Sequence, residues 1–344
     1  MTEALIDYGL FAAKSLTLIL AIALALMAMA RARRGGTLIG HDDDDDGSRL
    51  EVVNLNDRFA NMADTIKHAT LPPKVYKKIA KAEHKAEKAR AKAEESDRRR
   101  VFVIDFHGDI MATETGALRE VISALLQVAT REDEVVVRLD NAGGAVHEHG
   151  LAASQLLRIR AREIPLTVAV DKVAASGGYL MAVVANRIIA APFAVIGSIG
   201  VLAELPNFHR LLQQKGIDFE LHTAGDYKRT LTLFGENTDE GRDKLREQLE
   251  ETHGLFKAFI HNYRPDLNLG DVATGEYWHA EQARALGLID DISTSDDYLL
   301  AARDDADLFK VRYRARKRPL DRLLGAVHHA GARLPALLSG WRRQ

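Results

Sequence analysis

From Val101 to Ala191 the sequence alternates short apolar runs with helical stretches, and this alternation limits the fold more than any other feature. Val101 to Phe106 reads as a buried strand, Leu118 to Ala129 as a helix and Glu134 to Leu139 as a second strand. His149 to Arg162 reads as helix, Leu166 to Val170 as a third strand, Ser176 to Ala185 as a short apolar helix and Arg187 to Ala191 as a fourth strand. Strands separated by helices pair in parallel, so the expected fold is an α/β domain of βαβ-type units. Farther on, Asp239 to Tyr263 predicts a polar amphipathic helix, Thr274 to Trp278 a turn, and Glu281 to Leu286 a short helix closed by Gly287. The stretch Leu180 to Ala203 is apolar enough to suggest a membrane span. Asn186, Arg187 and Pro192 in its middle favour a buried helix followed by a buried strand.

The flanks differ in kind from this centre. The chain of 344 residues divides into an anchor over 1–34, an acidic linker and charged helical spacer over 35–100, a globular domain over 101–308 and a basic amphipathic tail over 309–344. Gly9 to Ala30 is a nearly continuous apolar run of 22 residues. As a helix it would reach about 33 Å, enough to cross a bilayer core. Ala28-Met29-Ala30 has the small-x-small look of a signal-peptide cleavage site, but Glu3 and Asp7 precede the run where a signal peptide has basic residues, which favours an uncleaved anchor. The chain is therefore expected at the cell's inner membrane as a single-pass protein in contact with lipid. Arg31, Arg33 and Arg34 follow the run, so the positive-inside rule points the domain toward the cytoplasm. One span offers few charges to count, and the side stays open.

Asp42 to Asp46 reads as a solvated linker and residues 51–70 as helix. Lys74 to Arg100 carries eleven basic and five acidic residues without an apolar stripe, as an exposed spacer helix does; a cationic arm on anionic lipid is the sharper alternative. Val311 to Gln344 has nine Arg or Lys against one Asp, with leucines at helical spacing, which suits either an interfacial helix or a docking tail.

Composition removes several chemistries. There is no cysteine, so disulfides, thiolate catalysis and Cys-based zinc sites are excluded. A net charge of -2 argues against a nucleic-acid partner for the chain as a whole.

Three local features carry chemistry. Ala174-Ala175-Ser176-Gly177-Gly178-Tyr179 follows a strand and opens a helix, placing Ser176 beside flexible backbone at the positive end of a helix dipole. Asn141-Ala142-Gly143-Gly144 ends another strand, and consecutive glycines can present N–H groups to an oxyanion. Both elements fall at carboxyl ends of parallel strands, where ligand sites of α/β sheets gather. The third is Gly225-Asp226-Tyr227-Lys228. A serine hydroxyl needs a base, and a lysine serves when burial lowers its pKa, for which Tyr227, Leu231, Leu233 and Phe234 could supply the apolar surroundings. Lys172 is nearer in sequence but sits in a polar Asp-Lys pair. Taken singly, each feature is an ordinary turn or a surface lysine.

Together with Gly197-Ser198-Ile199-Gly200-Val201, these ordered motifs resemble the SohB/signal-peptide-peptidase-A proteases over about residues 100–300. Asp171 to Tyr179, His222 to Gly225 and Lys228 to Leu233 carry the resemblance to the SohB-like branch. The resemblance implies a ClpP/crotonase-like fold of repeated ββα units and a serine–lysine dyad that cuts peptide bonds without metal or cofactor. Carried over by motif, Ser176 is the nucleophile and Lys228 the general base. Gly177 and one of Gly143 and Gly144 would offer the oxyanion N–H groups, and Ser198 would orient the lysine amine. Family members form homo-oligomeric rings, and the dyad can be completed across a subunit boundary. One departure stands out: the family's first loop usually reads Ser-Pro-Gly-Gly, whereas here it is Asn141-Ala142-Gly143-Gly144.

Three other readings compete. A serine–histidine hydrolase would draw on His107, His147, His149 or His222. A crotonase-like acyl-CoA enzyme would use the Gly-Gly loops without Ser176 or Lys228. A membrane scaffold with a decayed site has the altered loop as its support. Ala174, Ala175 and Ile199 near the serine point to modest apolar side chains in the substrate.

Overall fold

The computed structural model describes residues 49–93 and 98–314. The expected span over Gly9–Ala30, the acidic run Asp42–Asp46 and most of the basic tail lie outside the described residues. Among the described residues no helix is long and apolar enough to cross a membrane.

In chain order the elements begin with β1 (Arg49–Asn54), α1 (Leu55–Thr70), α2 (Pro73–Ala93), β2 (Arg99–Gly108), α3 (Thr115–Leu125), β3 (Glu134–Asn141), α4 (Val146–Arg160), β4 (Leu166–Val170) and β5 (Val173–Ala175). Then come α5 (Gly177–Ala182), β6 (Arg187–Ala190), β7 (Val195–Gly197), α6 (His209–Gln214), α7 (Asp239–Tyr263), α8 (Leu269–Val272) and β8 (Tyr277–His279). The last four are α9 (Ala280–Ala285), β9 (Asp291–Ile292), α10 (Ser295–Ala302) and β10 (Ala306–Arg314). The main sheet runs β1-β10-β2-β3-β4-β6-β9, parallel from β10 to β9. The α/β expectation therefore holds.

The strands are apolar on consecutive residues because helices cover both faces of the sheet. Phe102, Ile104 and Phe106 pack on one face with Leu118, Ile122, Leu156 and Ile159 of α3 and α4. Val101 and Val103 point to the other face, against Leu55 of α1 and Leu299 of α10. This is the two-residue alternation of a pleated strand.

The edge corrects two boundaries. Residues 49–54 form a strand, antiparallel to β10 with Val52 opposite Val311, rather than the start of a helix or part of a linker. β10 itself continues to Arg314, past the boundary expected at 308, because Ala306–Lys310 pairs with β2 while Phe309–Arg314 pairs with β1. Likewise Tyr277 and Trp278, expected in a turn, start β8 by pairing with β7.

The sheet forks where the site lies. β3 pairs with β4 through Val135–Arg138, but its last residue, Asn141, pairs with Ala174 of β5. β5, β7 and β8 thus form a small layer off the main sheet, to which the chain returns for β6 between β5 and β7. The fork opens a gap at the carboxyl ends of the strands.

Ion pairs pin the core to its edges. Burial pushes the Asp105 carboxyl up, but hydrogen bonds from Arg138 and Lys310 outweigh it and leave it below the usual range. Burial acts the same way on Asp290, and the bidentate Arg264 contact, 2.7 Å on both arms, outweighs it. A carboxyl lowered in the folded state stabilises fully above its unfolded value, about 3.9, and loses that contribution as pH falls through its lower folded value. Thermal unfolding is therefore expected at lower temperature as pH drops below about 4. Asp290→Asn is expected to unfold at lower temperature at pH 7 and to show a shallower acid fall, both readable by circular dichroism.

Candidate active site

Ser176 sits between β5 and α5 with φ 50 and ψ -119, a conformation that non-glycine residues avoid. Such strain costs about 1–3 kcal/mol and persists only where neighbours hold it. Here the Ser176 N–H donates to Gly197 O at 2.8 Å, and Leu180 N–H donates to Ser176 O at 2.9 Å. The serine is thus clamped between β7 and the first turn of α5.

Glycines surround it for steric reasons. A Cβ on Gly143 would lie 2.8 Å from both Gly177 N and Ser176 Cβ. A Cβ on Gly177 would lie 2.5 Å from the His149 ring, and one on Gly178 would overlap Asn141 O. A Cβ on Gly144 would overlap the backbone of Ile110, whose carbonyl accepts from Ala145 N–H at 2.8 Å. Loop 141–145 therefore lies directly on the start of α5.

Gly144, Ser176 and Gly177 line one cavity of about 360 Å³. Its other walls are mostly apolar: Val146 and Leu180 beside the serine, Val201 after β7, and Leu255, Phe256 and Phe259 from α7. A pocket so lined accepts an apolar side chain and puts it next to the Ser176 hydroxyl.

The expected oxyanion donors separate. Gly143 N–H donates to Asn141 Oδ1 at 2.8 Å, so it turns inward and is unavailable to a substrate. Of the two loop glycines between which the motif left the choice, Gly143 is the one already bonded. Gly144 N–H and Gly177 N–H have no acceptor among the described residues. Ser198 follows β7, with φ 49 and its N–H on Glu276 O at 2.6 Å. Gly197, which precedes it, accepts the Ser176 N–H, so this one backbone hydrogen bond ties the segment of Ser198 to that of Ser176.

Lys228 is not brought to this cluster. It is exposed, does not line the cavity and makes no hydrogen bond to Ser176 among the described residues. The apolar surroundings expected for it are open as well: Tyr227 is 52% exposed, Leu233 37% and Phe234 41%. The Tyr227 ring instead faces Lys244 Nζ at 5.1 Å. A single chain therefore does not supply the desolvation a lysine base requires. The physical reason is the segment after β7, which has few contacts to pack against and exposes Leu202, Leu205, Phe208, Leu211 and Leu221.

The alternative bases fare worse. Lys172 is exposed and bonded to Asp140 at 2.9 Å, and that hydrogen bond holds its amine above the usual lysine range. His107, His147 and His222 are exposed and lie beside Glu114, Glu148 and Glu220. His149 is fully buried, with both ring nitrogens engaged by Ala145 O and Asn141 Oδ1. No histidine lines the cavity. Among the described residues no cluster of histidine and carboxylate could hold a metal.

The sequence reading passed over Asn141 as a mere loop departure, and it gave no role to Phe256 and Phe259. Nothing in local spacing links α7 to the serine, since the contact spans some eighty residues of chain.

A strained serine at a strand–helix junction, with two free backbone N–H groups and an apolar pocket, is the arrangement of a serine hydrolase. Comparison with known sequences agrees. The model of the peptidase family S49 N-terminal region matches residues 3–156, and that of peptidase family S49 matches residues 158–309. The chain belongs to peptidase family S49, a family of serine-type proteases.

Within that family it is similar to SohB proteases. It is 46% identical over 328 residues to the probable protease SohB of Haemophilus influenzae, covering 92% of this chain and 91% of the relative. It is 52% identical over 234 residues to the probable protease SohB of Buchnera aphidicola subsp. Acyrthosiphon pisum, covering 68% and 70%. A solved membrane-bound stomatin-specific protease with a bound substrate peptide aligns over 67% of this chain at 13% identity and TM-score 0.39, too distant for inference.

Proposed function

We propose that the chain is an endopeptidase that cuts peptides through Ser176, with Lys228 as general base and Gly144 and Gly177 as oxyanion donors. The observation that carries this is the strained Ser176 facing an apolar cavity it shares with the free N–H groups of Gly144 and Gly177. Strain at a nucleophile keeps its hydroxyl aimed at the substrate instead of at its own backbone.

In this scheme the neutral amine of Lys228 takes the Ser176 proton as Oγ attacks a peptide carbonyl. The developing oxyanion is held by the two backbone N–H groups. The lysine returns the proton to the leaving amine, and an acyl-enzyme forms on Ser176. Water, deprotonated by the same lysine, then releases the second fragment. The side chain on the acyl side fills the pocket of Leu180, Phe256 and Phe259, so apolar residues are favoured there, as in remnant signal peptides or membrane-protein segments.

Two further parts belong to the proposal. The repeated strand–helix layout with its forked sheet suits a ClpP/crotonase-like domain, and the apolar run Gly9–Ala30 suits a single inner-membrane anchor. A homo-oligomeric ring would cover the exposed apolar segment that carries Lys228, and this burial is what turns the lysine into a base. The scaffold and acyl-CoA enzyme readings have no comparable support, because neither calls for a strained serine.

The test is mass spectrometry of the full chain after treatment with a fluorophosphonate probe. One adduct on Ser176, absent from Ser176→Ala, is the expected result. A wild-type protein that stays unmodified while folded would overturn the proposal.

A further inference from the structure

A buried polar cluster lies directly beneath the oxyanion loop. Asn141, at the end of β3, is 1% exposed, and His149, on the first turn of α4, is fully buried. Asn141 fits only because its neighbours lack side chains: a Cβ on Gly108 would overlap its carboxamide, and one on Gly178 its carbonyl. Its Oδ1 accepts from Gly143 N–H at 2.8 Å and lies 3.1 Å from His149 Nε2. Its Nδ2 faces Met181 Sδ at 3.3 Å. The other imidazole nitrogen, Nδ1, lies 3.0 Å from Ala145 O; both neighbours are acceptors, so the single N–H of a neutral ring donates to one of them while the other nitrogen rests against the second.

The imidazole thus spans the loop from one end to the other. It holds Asn141 before the two glycines and Ala145 after them, and its ring lies where any side chain on Gly177 would be. Both oxyanion donors, Gly144 on the loop and Gly177 on α5, rest on this one pair of side chains.

We propose that Asn141 and His149 are positioning residues of the oxyanion hole. The Asn141 carboxamide turns Gly143 N–H inward, and with the loop pinned at Asn141 and Ala145 this leaves the next N–H, that of Gly144, facing the substrate carbonyl. His149 locks that register and sets the height of Gly177. The departure at Asn141 from the loop usual in the resembling family is then a working part of this site. Asn141 and His149 would act as a pair. This inference rests on the reading of Ser176 as nucleophile.

The experiment uses the full chain and four proteins: wild type, His149→Phe, Asn141→Ala and the double variant. Active sites are counted by fluorophosphonate titration, so that misfolded molecules do not enter the rates. His149→Phe keeps a ring against Gly177 but loses the polar contacts of both ring nitrogens. It is expected to lower kcat about 10–100-fold with KM nearly unchanged, since a displaced donor costs somewhat less than one removed outright. A peptide aldehyde, whose hemiacetal oxygen occupies the same hole, is expected to lose affinity by the same factor, while the product peptide binds as before. Asn141→Ala is expected to match it, and the double variant to be no worse than either alone. A purely structural role would lower thermal stability and titratable sites but leave kcat per site and aldehyde affinity intact, and that result would overturn the proposal. Should His149→Phe not fold, Asn141→Ala alone decides by the same readouts. If Ser176→Ala retained activity, the nucleophile reading would fail; loss there with unaltered His149→Phe and Asn141→Ala kinetics would sink only this inference.

Discussion

Ser176→Ala is expected to reduce kcat/KM for an apolar peptide by about 10⁴–10⁶-fold, the range seen when a serine protease loses its nucleophile. The protein should fold as well as wild type or better. Alanine is smaller, the N–H bond to Gly197 O and the acceptance from Leu180 N–H are both backbone bonds, and neither needs the hydroxyl. Alanine is no happier than serine at φ 50, so the strain remains and the geometry with it. The measurement is peptide hydrolysis by purified protein, alongside thermal unfolding. Loss of activity with an unchanged unfolding temperature assigns the chemistry to Oγ. Activity within tenfold of wild type would mean that the cavity beside Ser176 is not where peptides are cut.

The centre of the fold was legible because the middles of β2, β3 and β4 are buried on both faces, and such strands carry apolar residues on consecutive positions. The short strands were not. Val173–Ala175 and Val195–Gly197 are three residues each, and they are strands only because Asn141 and Trp278 offer backbone partners from far along the chain. β1 escaped for a related reason. It lies at the sheet edge with Leu50 and Val52 exposed, so it carries no buried pattern.

The site divides in the same way. Ser176 and the two Gly-Gly elements could be found because their requirement is local: a turn that admits no Cβ. Which glycine donates could not, because that depends on a carboxamide two residues back and on an imidazole from α4. The strain at Ser176 was equally hidden, since nothing in the letter serine announces a positive φ. Lys228 was found as a motif, yet the apolar surroundings expected for it are open in the single chain. Tyr227, Leu233 and Phe234 are apolar neighbours in sequence, but burial needs something packed on top of them.

That missing cover leads to the second large effect. Lys228→Ala is expected to lower kcat/KM by about 10³–10⁶-fold, since an unassisted serine hydroxyl is a weak nucleophile at neutral pH. Because Lys228 is exposed and unbonded to Ser176 in the single chain, we expect its amine to act across a boundary between two copies. Inactive Ser176→Ala and inactive Lys228→Ala proteins, mixed and allowed to exchange subunits in detergent, should then regain measurable activity. Each mixed boundary of the right order joins an intact Ser176 to an intact Lys228, so random mixing restores about a quarter of the wild-type sites if neighbours contribute independently. A dyad completed within one chain would leave every mixture inactive, however the subunits are shuffled. Either result also reports on the exposed apolar segment. If recovery requires assembly, Phe208→Asp on that segment should abolish it together with the oligomer, because a buried unpaired carboxylate is costly.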